Sequence, residues 1–396
     1  MIQTEIKEVT NRHEWNQFIK LPWEIYKKDS LWVPPLLFDL KKQLNQKVNP
    51  FFYAADIKYW IAVSGGRCIG RIAAIVNYHH NRYYQTAVGF FGYFECINDI
   101  PVSQALLFTA NEWLRKQGMT VVWGPVNLSL NNESGLLIEG FHRSPIIQMS
   151  YNPPYYVDLL ESSGYKKEHD LFAFYICDEI LKNEKIIQRL KRLSEIVIKK
   201  EKISFRHFNK RDFKNEAEKI RLLFNDYMSD NWGFVPMDKQ EFDFIAQSLK
   251  PVLVKELAIF AQIDGKEIGF SLALPDINQV LKHMNGKLTP FGIFRFLFLK
   301  NKITDIRVIL MGISKQFRRK GLEAVFYYQT IIEGAKRKFS GAELSWVSED
   351  NPLMIHALEN LNAKLYKRYR VYKKELTEPL LSTLNHKPYE EKIPAY

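Results

Sequence analysis

A repeat with a fixed offset constrains this chain most. Arg12 and Arg211 each follow a short strand-like run. Gly70 and Gly269 each stand in the second arm of a hairpin, and Asn152-Pro153 and Asn351-Pro352 each precede a short helical segment. The three pairs are all 199 residues apart (211 − 12, 269 − 70, 351 − 152). The order of elements between the landmarks recurs too, so the chain reads as two copies of one frame. The register drifts and then returns: the second copy gains about two dozen residues before its long helix and loses a like number after it. Gly118 and Gly341, which end the two long helices, are 223 apart, placing an insertion near 276–304 of the second copy.

In the first copy, residues 2–10 form a strand, and Trp15, Phe18, Trp23 and Tyr26 recur at helical spacing until Trp32-Val33-Pro34-Pro35 breaks the pattern. Tyr59–Val63 and Cys68–Val76 flank Gly65-Gly66 as a hairpin. Val88–Phe94 is a strand. A helix starts at Pro101 with Leu106, Ala110 and Trp113 on one face, Thr120–Gly124 is a strand, Pro154–Ser162 is a short helix, and Leu171–Cys177 closes the copy. The second copy has a strand at Ile203–Phe208, a helix at Phe213–Met228, and a hairpin of Leu257–Ile263 and Glu267–Leu274 around Asp264-Gly265. The predicted division is 1–178, a connecting helix at 179–200, 201–376, and a tail at 377–396.

Charge narrows the class of partner. Lys and Arg number 56 against 44 Asp and Glu, a formal +12, which favours an anionic partner such as nucleic acid, a membrane surface or a phosphate-bearing cofactor. The basic residues are interleaved with acids rather than gathered in a stripe, which disfavours nucleic acid. Cys68, Cys96 and Cys177 are too scattered for a disulfide framework or a zinc site, and no metal is expected; His79-His80 reads as a surface pair. The expected setting is reducing and cytoplasmic. The N-terminus lacks the pattern of a signal peptide, and Phe291–Leu299 is too short to span a bilayer.

The chemistry concentrates in Ile309–Tyr328. An apolar run ends in Arg318-Arg319-Lys320-Gly321, and Leu322 begins a helix. The first backbone N–H groups of a helix have no internal partner, and the helix dipole adds about half a positive charge there, so an anion docks readily. Gly321 permits close approach, and the three cations add full charges. Leu322, Val325, Tyr328, Ile332, Ala335 and Phe339 would hold the helix to the sheet. Glu323 opposes an anion if it turns inward. A solvated basic cap is the plainer reading.

Each copy reads strand, helix, helix, hairpin, strand, helix, strand, helix, strand. With a basic glycine turn between the fourth strand and the long helix, this order resembles the GNAT superfamily of acyl-CoA-dependent N-acyltransferases. Arg318 and Gly321 match the family's Arg/Gln-x-x-Gly-x-Gly/Ala turn, while Glu323 departs from it. Asn351 and the segment Leu358–Ala363 resemble its second motif, with Leu358 where many members carry a thiolate-protonating tyrosine. The first copy keeps Asn152 and Gly164-Tyr165 but has Phe94–Pro101, with two acids and no glycine, at the turn.

The resemblance implies an α/β protein of two tandem GNAT-like units, each a mixed, mostly antiparallel sheet flanked by helices, with a CoA site only in the second. It implies acetyl-CoA or another acyl-CoA as donor and a small-molecule or peptide amine as acceptor. Backbone groups of Met311, Gly312 and Ile313 would hold the pantetheine arm between splayed strands. Arg318, Arg319, Lys320, Gly321 and Leu322 would hold the pyrophosphate, and Asn351 would complete the site. Acid–base candidates are Glu349, Tyr369 and Glu133. Two alternatives are a non-catalytic CoA-binding protein and a Fem-type aminoacyl transferase, the latter using charged tRNA.

Gly124–Gly135 is rich in hydrogen-bonding side chains and follows a strand end. It is expected to line an acceptor cleft between the units through Asn127, Asn132 and Glu133, or else to satisfy its own backbone. The 276–304 insertion reads as a lid, an acyl-chain groove or a surface helix pair; no clear amphipathic face supports a membrane-surface role.

Overall fold

The computed structural model describes residues 4–376 apart from Arg319; the 377–396 tail lies outside the described residues. The chain order is β1 (Glu5–Glu8), α1 (Arg12–Ile25), α2 (Leu37–Gln43), β2 (Ala55–Ser64), β3 (Arg67–Asn77), α3 (Tyr78–Tyr84), β4 (Val88–Cys96), α4 (Ile100–Lys116), β5 (Val121–Gly124), β6 (Leu136–Glu139), α5 (Tyr156–Glu161) and β7 (Lys166–Ile176). It continues through α6 (Asp178–Leu181), α7 (Glu184–Glu201), β8 (Ser204–His207), α8 (Phe213–Met228), α9 (Lys239–Leu249), β9 (Ala258–Ile263), β10 (Lys266–Pro275), α10 (Asn278–Leu281), α11 (Pro290–Leu299), β11 (Asp305–Ile313), α12 (Leu322–Lys336), β12 (Gly341–Ser348), α13 (Pro352–Glu359) and β13 (Lys364–Glu375).

Two compact units form. Among the described residues, the first comprises 4–34, 42–170 and 368–376; the second comprises 35–41 and 171–367 apart from Arg319. In the first, the strands run β1-β2-β3-β4-β5-β13, with β6 also on β13; β4 and β5 pair in parallel and the other named pairs are antiparallel. In the second they run β7-β12-β11-β10-β9-β8; β11 and β12 pair in parallel and the other named pairs are antiparallel. The two units thus share one strand order, with the closing strands exchanged: the chain's last strand completes the first unit's order, and β7 completes the second's. The sequential division at 178 and 201 leaves each copy its own closing strand. Hydrophobic patterning shows that a segment is a strand but not which sheet edge receives it.

The repeated glycines have a shared cause. A Cβ on Gly70 would stand 2.6 Å from Leu106 of α4, and one on Gly269 would stand 2.7 Å from the Gly312 carbonyl and 3.2 Å from the Phe326 ring of α12. In each unit the hairpin glycine makes room for the long helix that covers the sheet. Leu106, Leu107, Ala110 and Leu114 of α4 are buried in the first core, and Leu322, Val325 and Phe326 of α12 are buried within the second unit. The α12 stripe differs from expectation. Thr330, Glu333 and Gly334 are buried, while Ala335 is exposed. Because α12 packs on both α7 and the sheet, it is apolar on more than one side, and periodicity alone does not select its inner face.

His80 is also placed differently. It is buried against Phe90 and Trp123, with ring centroids at 5.0 and 5.8 Å, and burial pushes its pKa down to about 4. It is therefore a neutral core side chain rather than half of a surface pair.

Candidate active site

The second unit opens a wedge between its two parallel strands. β11 and β12 are in register from Asp305 opposite Gly341 to Val308 opposite Leu344. Beyond that point, among the described residues, β11 keeps only its β10 neighbour, with Met311, Gly312 and Ile313 opposite Ser271, Phe270 and Gly269. One edge of β11 is thereby released from sheet pairing where its backbone can serve a ligand.

The turn after β11 leads through Lys315–Phe317 into the start of α12. Gly321 has φ +86° and precedes Leu322 as the N-cap of α12, with no side chain capping the helix. A Cβ there would stand 3.1 Å from the Val197 side chain of α7, so the left-handed backbone and the tight packing both favour glycine. Arg318 is anchored: Nη1 donates to Asp230 Oδ2 at 2.8 Å, and Nη2 donates to the Tyr227 carbonyl at 2.8 Å. Lys320 pairs with Glu201 at 2.9 Å. Arg319 lies outside the described residues. Glu323 is half-buried and raises the neighbouring Tyr227 phenol together with burial, the larger cause; Arg318 opposes them, and the phenol stands at about 12.

A charged network is buried in the paired part of the two strands. Arg307 and Glu343 face each other across β11 and β12; Glu343 is 0% exposed and Arg307 2%. Arg307 Nε donates to Ser345 Oγ at 2.9 Å, and Nη2 donates to the Ser345 carbonyl at 3.3 Å. The Ser345 hydroxyl and the Tyr366 hydroxyl both donate to the Glu343 carboxylate, one to each oxygen. Ser345 is the first residue of β12 past the last paired position, so the network ends where the wedge begins. None of these residues carries a motif. The one available signal is polar Glu343 and Ser345 at alternate positions among apolar neighbours, which places both on one face.

The other sequence-predicted residues fall as follows. Asn351 caps α13, accepting from Met354 N at 3.0 Å. Leu358 is fully buried in the core. Of the acid–base candidates, Glu349 lies half-buried in the turn after β12 in the second unit. Glu133 and Tyr369 belong to the first unit, Glu133 exposed and Tyr369 fully buried opposite Leu137. Asn127 accepts from Tyr93 N at 2.8 Å and donates to Glu133 at 3.3 Å, while Asn132 accepts from Ser129 at 2.8 Å. These three side chains thus bond within the first unit, largely to their own loop.

That loop explains why the first unit has no equivalent wedge. β4 and β5 are paired from Val88 opposite Val121 to Phe90 opposite Trp123. Beyond Phe90, Val126 N donates to Phe91 O at 2.8 Å, and the Asn127 side chain takes the Tyr93 amide. The loop backbone lies so close that a Cβ on Gly92 would stand 2.0 Å from the Val126 carbonyl. Gly92→Ala is therefore expected to destabilise the protein by about 1–3 kcal/mol, read as a lower melting temperature, because backbone rather than a flexible side chain must move. Near the end of β4, Glu95 accepts from Tyr26 at 2.9 Å and Tyr156 at 2.7 Å, with Arg71 at 3.5 Å; burial holds its carboxyl above the ordinary range. In the turn that follows, Asp99 caps α4 by accepting from Val102 N at 3.0 Å, so an acidic side chain closes the helix start that is uncapped in the second unit.

This doubled strand-and-helix plan is the fold of the tandem GNAT proteins. Solved structures agree on the fold. A tandem GNAT protein from the clavulanic acid biosynthesis pathway superposes with TM-score 0.57 at 11% identity, covering 95% of this chain and 100% of that one. A GCN5-related N-acetyltransferase from Sphaerobacter thermophilus gives 0.50 at 11%, covering 96% and 98%. No family model matches the chain. Two curated proteins are similar over almost their whole length. Bacterial ceramide synthase of Caulobacter vibrioides (strain NA1000 / CB15N) is 36% identical over 373 residues, 92% of this chain and 95% of that protein. Protein YghO of Escherichia coli (strain K12) is 34% identical over 378 residues, 94% and 95% respectively. The chain belongs to the family that these two proteins represent.

Proposed function

We propose that the second unit transfers a long-chain acyl group from acyl-CoA to the amine of a long-chain amino alcohol, forming an amide. The carrying observation is the open wedge beside the uncapped start of α12, set against the filled wedge of the first unit. The relationship to a protein named bacterial ceramide synthase supports the choice of substrates, since a ceramide is the amide of a fatty acid and a long-chain amino alcohol. It moves the donor from acetyl-CoA to a longer thioester. A CoA donor also places the reaction in the cytoplasm.

In this reading the α12 N-terminus, Gly321, Leu322, Arg318 and Lys320 receive the pyrophosphate, with Arg319 in the same turn. The freed edge of β11 at Met311–Ile313 holds the pantetheine arm and polarises the thioester carbonyl. The amine nitrogen attacks that carbonyl; the C–N bond forms, the C–S bond breaks and CoA leaves as thiolate. The amine proton passes to a base, for which Glu349 is the candidate in this unit, and the thiolate takes a proton from solvent. Asn351 supports the site by capping α13. Asn127, Asn132, Glu133 and Tyr369 have no step here.

The test is turnover by the purified full chain with palmitoyl-CoA or acetyl-CoA and a long-chain amino alcohol, reading thiol release and the N-acyl product by mass spectrometry. Palmitoyl amide should form, with acetyl-CoA a much poorer donor. Acyl-CoA binding without product would favour the non-catalytic alternative; neither binding nor product would remove the proposal.

A further inference from the structure

Residues 277–304 contain Lys282, Lys287, Arg295, Lys300 and Lys302 and no Asp or Glu. This run carries α11, whose N-terminus is capped by the Thr289 hydroxyl, which accepts from Gly292 N at 3.0 Å. Phe294, Leu297 and Phe298 are 70%, 51% and 65% exposed. They stand at i, i+3 and i+4, so they share one helix face. Leu288 adds a further exposed apolar side chain just before the helix. The second unit brings another: Leu37 N donates to the Gly286 carbonyl at 3.0 Å, and the adjacent Phe38 is 69% exposed. Lys282, Lys287, Lys300 and Lys302 are all exposed, and the Lys302 ammonium lies 5.1 Å from the Phe298 ring centroid.

We propose that this face docks the protein on an anionic membrane surface, with the aromatic and leucine side chains entering the headgroup–acyl boundary and the lysines meeting lipid phosphates. A patch of large apolar side chains exposed on one face needs a partner. Charge complementarity selects the partner here, because a segment with four exposed lysines and no acid in its sequence faces anionic headgroups favourably, whereas a second copy would bring the same cations together. Lysine stems lie along apolar surface while their ammonium groups reach the phosphates. The ten-residue α11 is about 15 Å long against about 30 Å of hydrocarbon, so it lies in the interface and does not cross. Among the described residues no helix is long and apolar enough to cross a membrane. The inference stands on this surface alone and does not depend on the acyl-transfer reading, although a face in the interface would suit a lipid acceptor.

The experiment is co-sedimentation of the full chain with vesicles of phosphatidylglycerol and phosphatidylcholine, or of phosphatidylcholine alone, without any substrate. The protein should pellet with the anionic vesicles and bind the neutral ones at least about tenfold more weakly. Lys287→Gln/Lys300→Gln/Lys302→Gln should weaken binding to the anionic vesicles by roughly a hundredfold. Phe294→Ser/Leu297→Ser/Phe298→Ser should abolish it. All six side chains point to solvent, so circular dichroism and melting should stay those of the parent protein. No vesicle binding, or equal binding by parent and both variants, overturns the proposal. So does a parent dimer that the serine variant converts to monomer with no vesicle binding by either, which would make the face a contact between copies.

Discussion

Arg307→Ala should lower the stability of the protein by about 3–5 kcal/mol, the loss expected when one partner of a buried ion pair is removed. Glu343 is completely buried, and its carboxylate is held by Ser345, by Tyr366 and by the facing Arg307 guanidinium, whose Nε lies 3.9 Å away. Without Arg307 the carboxylate keeps two neutral donors but loses its only opposite charge among these contacts. Ser345 loses two further bonds, from Nε at 2.9 Å and from Nη2 at 3.3 Å. At roughly 2–4 °C per kcal/mol for a unit of this size, the melting temperature should fall on the order of 10 °C. Arg307→Met/Glu343→Leu should recover much of that loss, because replacing both charges with apolar volume removes the desolvation cost as well as the attraction. A single Arg307→Ala variant that melts within a degree of the parent would show that the network is not a stabilising element. Since the network ends where the pairing of β11 and β12 stops, the same variant should also loosen the alignment of these strands on which the proposed acyl-CoA site depends.

Arg318→Glu should remove the stabilisation that acyl-CoA confers. A ligand that binds only the folded state at a hundred times its Kd stabilises by about 2.7 kcal/mol, or roughly 5–10 °C for a unit of this size. The variant reverses the charge at the helix start proposed to receive the pyrophosphate. It also places a carboxylate beside Asp230 and withdraws the donor to the Tyr227 carbonyl, so its own melting temperature should drop. The informative quantity is therefore the difference between melts with and without ligand, measured for each protein separately. Lys320→Ala is the milder comparison. Its ammonium is already paired with Glu201 at 2.9 Å, so it should reduce the ligand-dependent shift without abolishing it. A full shift retained by Arg318→Glu would place the phosphate elsewhere.

Much of the frame was legible in the sequence because it rests on local signals. The Asp264-Gly265 hairpin, the helix at Phe213–Met228 and the strand before the basic turn appear close to their expected positions. Each is defined by residues near one another: a turn dipeptide, an apolar period, or a glycine that must adopt positive φ. The candidate site was legible only in part. The basic glycine turn is contiguous and could be read, whereas the Arg307–Glu343–Ser345–Tyr366 network joins residues on three strands and has no spacing to betray it. Asn127, Asn132 and Glu133 looked like a substrate wall because their composition is polar. Composition does not show that the polar atoms already bond to one another and to Tyr93.

The sequence by itself determined that the protein is built twice over from one frame, and that only the second copy carries a basic glycine turn before its long helix. Both follow from residue identity at fixed positions, since a glycine that admits a helix and a run of cations before a helix start act through their immediate neighbours. Only the tertiary structure decided that the closing strands change places, that the first wedge is filled by its own loop, and that α11 presents its aromatic face outward. Each of these depends on which surfaces meet across long stretches of chain, and burial, unlike periodicity, exists only once the chain has folded.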